Sequence, residues 1–240
     1  MTTIGIPQAT AAAPAKATPA AAAKVRSRTR LQDNLLVCGM LAAFVYVVTD
    51  VVASLRYPGY DVVSQGVSEL MAVGAPTKTL VDSVFIAYGV LAIAFAIGVL
   101  RESFGQRSLR WTGLLLLGYA AAGLLGRLFP AYPRASGGFS DSVPHMILTA
   151  VLVVLMLAAL GFAAYALGRR FQIYSFATLG VMVALGVASG VYASRLAAQQ
   201  STPGFGIIER LLIYAFLVWA AVLGVALIRR HSAPTAGDAV

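Results

Sequence analysis

Six stretches of the chain, 34–55, 80–100, 111–129, 144–167, 173–194 and 208–228, are almost uniformly apolar and are separated by short polar segments. Each is close to the roughly 20 residues that a helix rising about 1.5 Å per residue needs to cross a hydrocarbon core about 30 Å thick. None shows the strict apolar–polar alternation of a barrel strand, and a backbone in lipid must satisfy its own hydrogen bonds. The pattern therefore predicts an all-α polytopic membrane protein with six transmembrane helices. Composition removes the alternative of helices buried in a water-soluble globule. With 59% hydrophobic and 11% charged residues and a mean hydropathy of +0.82, too little polar surface exists to coat six such runs.

A seventh, weaker pattern lies between the first two runs, in YPGYDVVSQGVSELMAVGAP. At about 100° per residue, Asp61, Ser64, Gln65, Ser68 and Ala72 share one side, Val63, Val67, Leu70 and Met71 the other, and Glu69 lies on the border. Asp61 after Pro58-Gly59 is a natural N-cap, and Gly74 and Pro76 supply a stop. A short amphipathic helix over 61–73 is expected, lying apolar face down on the bundle, with Glu69 able to reach inward.

The connections RESFGQRSLR and LGRRFQ are short enough to make spans two and three, and four and five, antiparallel neighbours. Helices gain little hydrophobic energy by leaving lipid for one another, so their contact faces are expected where small residues recur, at Gly118, Ala122 and Gly126 and at Gly186 and Gly190. Before the first span lies an Ala/Pro-rich basic tail (1–33), and after the six-helix domain (34–229) a second tail (230–240); both are expected to be disordered and cytoplasmic. The first 23 residues lack the apolar core of a signal peptide. Cys38 is the single cysteine, which leaves no disulfide framework and no thiolate cluster for a metal.

Charge orients this topology. Twelve of the eighteen Lys and Arg residues fall on the side of the termini, and once acids are counted that side carries the whole net charge of +9. The positive-inside rule then places both termini in the cytoplasm of a cell membrane, with anionic lipid headgroups as partners of that face. These basic residues flank spans and form no compact domain with interleaved aromatics, so no nucleic acid is expected despite the basic pI of about 10.1. Homo-oligomerisation is left open.

Ionisable residues within spans are costly and are usually paired or functional. Here they collect toward the end of the bundle opposite the termini: Asp50 inside the first span, Arg127 ending the third, His145 opening the fourth, Glu209 and Arg210 opening the sixth. With Glu69, Asp61 and Ser68 of the surface segment these are the candidate ligand-binding residues. One outcome is an ion-pair network that staples spans one, three and six. The other leaves an arginine free to hold an anion in bidentate geometry. A hydrolase triad drawn from Ser68 or Ser142, His145 and Asp61, Asp141 or Glu209 lacks a nucleophile-elbow motif. Zinc ligation by His145, Glu69 and Glu209 lacks ligand spacing, and no cofactor is expected. A transporter would need groups at mid-membrane and interrupted helices, and Asp50 is the one acid well inside a span. The expected function is non-enzymatic binding of a membrane lipid or other amphiphile in the outer leaflet, with a small-solute transporter or membrane hydrolase as the alternative.

The order of PGYD, SELMAVGAP, RLFP (from Arg127 to Pro130), a His at the start of the following span (His145) and GIIERLL (from Gly206 to Leu212) resembles the bacterial domain of unknown function 998 family over roughly residues 34–228. The resemblance implies a six-span integral membrane protein and points to the same residues, but to no particular reaction. The chain departs from the family in its long Ala/Pro tail and in the Gly/Ser-rich AYPRASGGFSDSV before His145.

Overall fold

A computed structural model describes residues 19–132, 143–198 and 200–232. Helix α1 (Pro19–Arg56) leads through a 3₁₀ turn (Val67–Met71) into α2 (Lys78–Glu102) and α3 (Arg107–Leu125), which ends in a second 3₁₀ turn (Gly126–Leu128). Then follow α4 (Val143–Ala163), α5 (Gly168–Gly190), the short α6 (Ala193–Ala197) and α7 (Phe205–Ser232). Six segments are long and apolar enough to span a membrane: Arg30–Arg56, Lys78–Glu102, Arg107–Leu128, Val143–Ala163, Gly168–Leu196 and Phe205–Arg230. The chain is an all-α multi-pass membrane protein.

The first helix starts earlier than its apolar pattern does. Pro19 suits a first helical turn and the alanines that follow are the strongest helix formers, so residues 19–33, expected as irregular tail, are helical. The remainder of the expected tails, 1–18 and 233–240, lies outside the described residues.

Packing runs in a chain: α1 lies between α2 and α7, α3 between α2 and α4, and α5 leans on α7. Leu36, Phe95, Val99, Leu116, Leu160, Trp219 and Leu223 form the buried centre, where the Trp219 Nε1–H donates to Ser175 Oγ at 3.1 Å and joins α7 to α5. Close approach comes from glycine, as expected in a bundle where small residues let helices touch. A Cβ on Gly39 would strike the Phe95 ring, and one on Gly224 the Leu36 carbonyl. On the α3 stripe Gly126 behaves in the same way, a Cβ there coming 2.9 Å from Leu148 of α4, whereas one on Gly118 would have only ordinary contact with Leu155 at 3.9 Å.

The glycines of α5 show no such close approach. Nothing lies within 4 Å of a Cβ built on Gly190, and only Leu212 Cδ1, at 3.8 Å, approaches one on Gly186. These positions were expected to be a helix-contact face; they border an open recess instead. The recess exists because α4 and α5, joined near Ala164–Leu167 at the end bearing the termini, part toward the far face, and only Ser175 and Met182 of α5 are buried.

The surface element is also built differently from the expected helix over 61–73. Residues 61–65 make a tight turn, with Gln65 N–H on the Asp61 carbonyl at 2.8 Å, and Gly66 is extended (φ −74°, ψ 159°) before the 3₁₀ turn begins. The physical reason lies in the carbonyls. Val62, Val63, Ser64 and Gln65 present theirs to the start of α7 and its approach, accepting from Arg210 Nη1 at 3.1 Å, Gly206 N–H at 2.9 Å, Thr202 Oγ1 at 2.9 Å and Arg210 Nη1 at 2.9 Å in that order. A continuous helix would spend those same carbonyls on itself. Of the expected apolar side Val67 and Leu70 are buried, but Val63 is exposed, and Ala72, expected on the polar side, is buried, because the helix does not run through 61–66.

Candidate functional site: a closed ionic knot beside an open cavity

Arg210 lies one turn into α7, and its guanidinium is spent entirely inside the protein. Nε and Nη2 each donate at 3.0 Å to the two oxygens of Asp50, a bidentate pair. Nη1 serves the carbonyls of Val62, Gln65 and Gly206, and Nη2 also donates to Tyr60 Oη at 2.7 Å and lies 3.5 Å from Ser54 Oγ. A guanidinium has five N–H groups, so this set leaves none over. The Tyr214 hydroxyl completes the shell of Asp50, donating to Oδ2 at 2.5 Å. Both charges are almost fully buried, at 6% exposure for Arg210 and 2% for Asp50. An anion would reach Arg210 only by displacing one of these partners.

Tyr60 closes the knot from above, 2.7 Å from the Gly66 carbonyl and 5.6 Å from the guanidinium carbon at its ring centroid. Burial raises its phenol well above the ordinary value even though Arg210 pulls the other way, so it stays a neutral donor.

The expected staple between spans three and one or six is absent from the knot. Arg127, in the turn that ends α3, pairs through Nη1 with Asp82 Oδ1 at 3.0 Å, and Asp82 Oδ2 holds Lys78 at 2.7 Å. Spans two and three are tied instead, and Arg127 Nε is buried without a hydrogen-bond partner among the described residues.

The second centre is the cavity, of about 630 Å³, walled by α4, α5 and α7 under the surface turn. From α4 come His145, Met146, Thr149, Ala150, Val153, Val154 and Leu157, one face of the helix. From α5 come Met182, Val183, Gly186, Val187 and Gly190, and from α7 Phe205, Glu209 and Leu212. Polar groups gather at its mouth: Ser68, Glu69, Tyr132, His145 and Glu209. From His145 to Leu157 the wall descends about 18 Å at helical rise, roughly half a bilayer core.

The two carboxylates at the mouth flank the start of the 3₁₀ turn. Consecutive amides divide between them, Gly66 N–H donating to Glu69 Oε1 at 3.0 Å and Val67 N–H to Glu209 Oε2 at 2.7 Å. Gly66 is required there, because a Cβ would collide with the Glu209 carboxylate and the Phe205 ring. Glu69 Oε2 also accepts from Gln65 Nε2 at 3.0 Å. His145 is oriented by the end of α3, its Nδ1 2.9 Å from the Phe129 carbonyl. A carbonyl only accepts, so Nδ1 carries a proton and donates it there, and Nε2 is the ring nitrogen left toward the cavity.

The residues singled out in the sequence thus separate into groups. Ser68, Glu69, His145 and Glu209 share the cavity mouth; Asp50 and Arg210 share the knot; Arg127 stands with Asp82. Asp61 is exposed at the tip of its turn, where the Ser64 hydroxyl and the Val63 N–H hold its carboxyl below the ordinary value. Asp141 and Ser142 lie outside the described residues. Among the described residues no three of His, Cys, Asp or Glu are grouped to hold a metal ion. Sequence reasoning passed over Tyr60, Ser54, Tyr214 and Asp82. Three of them stand four residues from a partner or candidate on the same helix, Ser54 from Asp50, Tyr214 from Arg210 and Asp82 from Lys78, a spacing that puts side chains on one face and could have found them.

Comparison with curated proteins and with solved structures finds no match. A family model described as "Protein of unknown function (DUF998)" matches residues 40–226, the stretch that carries the knot, the surface turn and the cavity, and the chain therefore belongs to the DUF998 family.

Proposed function

We propose that this protein is a non-enzymatic binding or accessory protein for a membrane lipid or other amphiphile, which it holds in the cavity between α4, α5 and α7. The observation that carries the reading is the polarity gradient of that cavity: from Ala150 to Leu157 the α4 wall is aliphatic for about 10 Å, and above it lies a mouth of Ser68, Glu69, Tyr132, His145 and Glu209. Such a profile suits one acyl chain with its head at the membrane surface. The positive-inside distribution supports termini in the cytoplasm of a bacterial cell membrane, which sets the mouth in the outer leaflet.

One feature favours binding over transport: among the described residues no lining residue lies deeper than Leu157 and Met182, so the cavity is a one-sided recess. The test is mass spectrometry of lipids retained by the purified protein. Wild type is expected to retain a defined species that Gly190→Phe, which fills open space in the groove, fails to retain. Identical lipid content in the two would end the proposal.

A further inference from the structure

The end of the bundle that bears the termini has a recess of its own, of about 890 Å³, at the elbow between α4 and α5. A tight turn shapes it. Tyr165 N–H donates to the Phe162 carbonyl at 3.2 Å and Ala166 N–H to the Ala163 carbonyl at 2.9 Å, while Ala164 and Ala166 are buried and the Tyr165 ring is left outside. Gly168, at φ +33°, then turns the chain into α5 through a conformation that residues with a Cβ rarely adopt. The turn sets the Tyr165 ring edge-on to Phe176, with centroids 5.7 Å apart and planes at 82°.

On α5 the residues that line the recess, Arg169, Gln172, Ile173 and Phe176, follow the spacing of one helical face. That face is graded from polar to apolar. Arg169 and Gln172 bring donors to the first turns, Ile173 and Phe176 are exposed apolar groups just beyond, and one turn further nothing lies within 4 Å of a Cβ built on Gly180. From Arg169 to Gly180 the face runs about 16 Å at helical rise.

The chain cannot compensate the charge at this end from its own side chains. Twelve Lys and Arg stand on the side of the termini against three acids, Asp33, Glu102 and Asp238, so most of the cations are left to other anions even if each acid takes one. A soluble anion would use the donors of the recess alone, and a hydrocarbon its apolar part alone. A phospholipid at the membrane surface uses both.

We propose that this recess is a binding site for an anionic phospholipid of the leaflet nearest the termini. Arg169 receives the phosphate in bidentate geometry, Gln172 donates to the same head, and an acyl chain lies over Ile173 beside the paired rings of Tyr165 and Phe176. The site is separate from the cavity at the opposite end and stands whether or not that cavity holds an amphiphile.

The experiment titrates three probes into the full-length protein in mild detergent: dioctanoyl phosphatidylglycerol, dioctanoylglycerol, which has the same chains and no phosphate, and glycerol phosphate, which has no chains. The anionic lipid is expected to bind about tenfold more tightly than dioctanoylglycerol, the size of one charge-assisted hydrogen bond, and glycerol phosphate more weakly than either. Arg169→Gln should abolish the preference, and Phe176→Ala should weaken both lipids alike. Arg101→Gln, an exposed arginine on α2 at the same end, and Gly190→Phe, which fills the opposite cavity, should leave the preference intact. Arg169, Phe176 and Arg101 are exposed, so their variants should keep the fold, which thermal unfolding checks. Absence of a preference, an equal loss in Arg169→Gln and Arg101→Gln, or glycerol phosphate binding as tightly as the anionic lipid overturns the site. A preference lost in Gly190→Phe and kept in Arg169→Gln overturns it as well, and moves the anionic lipid to the cavity of the amphiphile reading.

Discussion

Glu209 and Arg210 are adjacent in the chain and opposite in use. A helix turns about 100° between successive residues, and that rotation sends Arg210 into a shell of acceptors from α1, the surface turn and α7, and Glu209 toward the cavity with a single backbone donor. The arginine's electrostatics are complete within the fold. Among the described residues the glutamate has one hydrogen-bond donor, the Val67 N–H. A saturated pair buried in a membrane span can thus fix the position of a loop.

The sharpest way to separate the two is to remove each in turn. Arg210→Ala leaves Asp50 buried without its counter-charge and frees three backbone carbonyls, so a loss of about 3–5 kcal/mol is expected in equilibrium unfolding in detergent. Glu209→Gln keeps an oxygen for the Val67 N–H and should change stability far less. Equal destabilisation by both would dissolve the distinction.

Gly206→Ala probes the seat of the surface turn on α7. The new methyl would meet the carbonyls of Gln65 and Val62, backbone atoms that cannot swing aside, and a loss of about 1–3 kcal/mol should accompany new proteolytic sensitivity around residues 61–66. Tyr214→Phe removes one donor from a carboxylate that keeps its bidentate arginine, so about 1 kcal/mol is expected in the same unfolding assay. Arg127→Ala should matter least. Its pair with Asp82 is partly exposed and Lys78 remains as partner, so a change of about 0–1 kcal/mol and no change in retained lipid are expected.

Much of the architecture was legible because lipid imposes one rule on every span: long apolar runs must be helices. The segments 80–100 and 208–228 map onto α2 and α7 with only their ends extended. Local periodicity also identified two buried residues of the surface segment, Val67 and Leu70. It misjudged the backbone there, because whether a carbonyl bonds along its own chain or to Arg210, more than 140 residues away, is decided by tertiary structure. The glycines of α5 failed for a related reason. A small residue permits close approach, but only the neighbouring helix determines whether approach occurs, and at Gly190 it does not. The candidate polar residues were correctly placed at one end of the bundle, yet their partition into knot, surface pair and cavity mouth depends on helix rotation and on which partners arrive from other spans.

A structure of the protein in a lipid nanodisc tests the central claim most directly. The account predicts elongated density between α4 and α5 with its polar end at the cavity mouth, and an Arg210 guanidinium still bidentate on Asp50. A groove closed by contact between α4 and α5, or a ligand bound to Arg210 with Asp50 displaced, would contradict it.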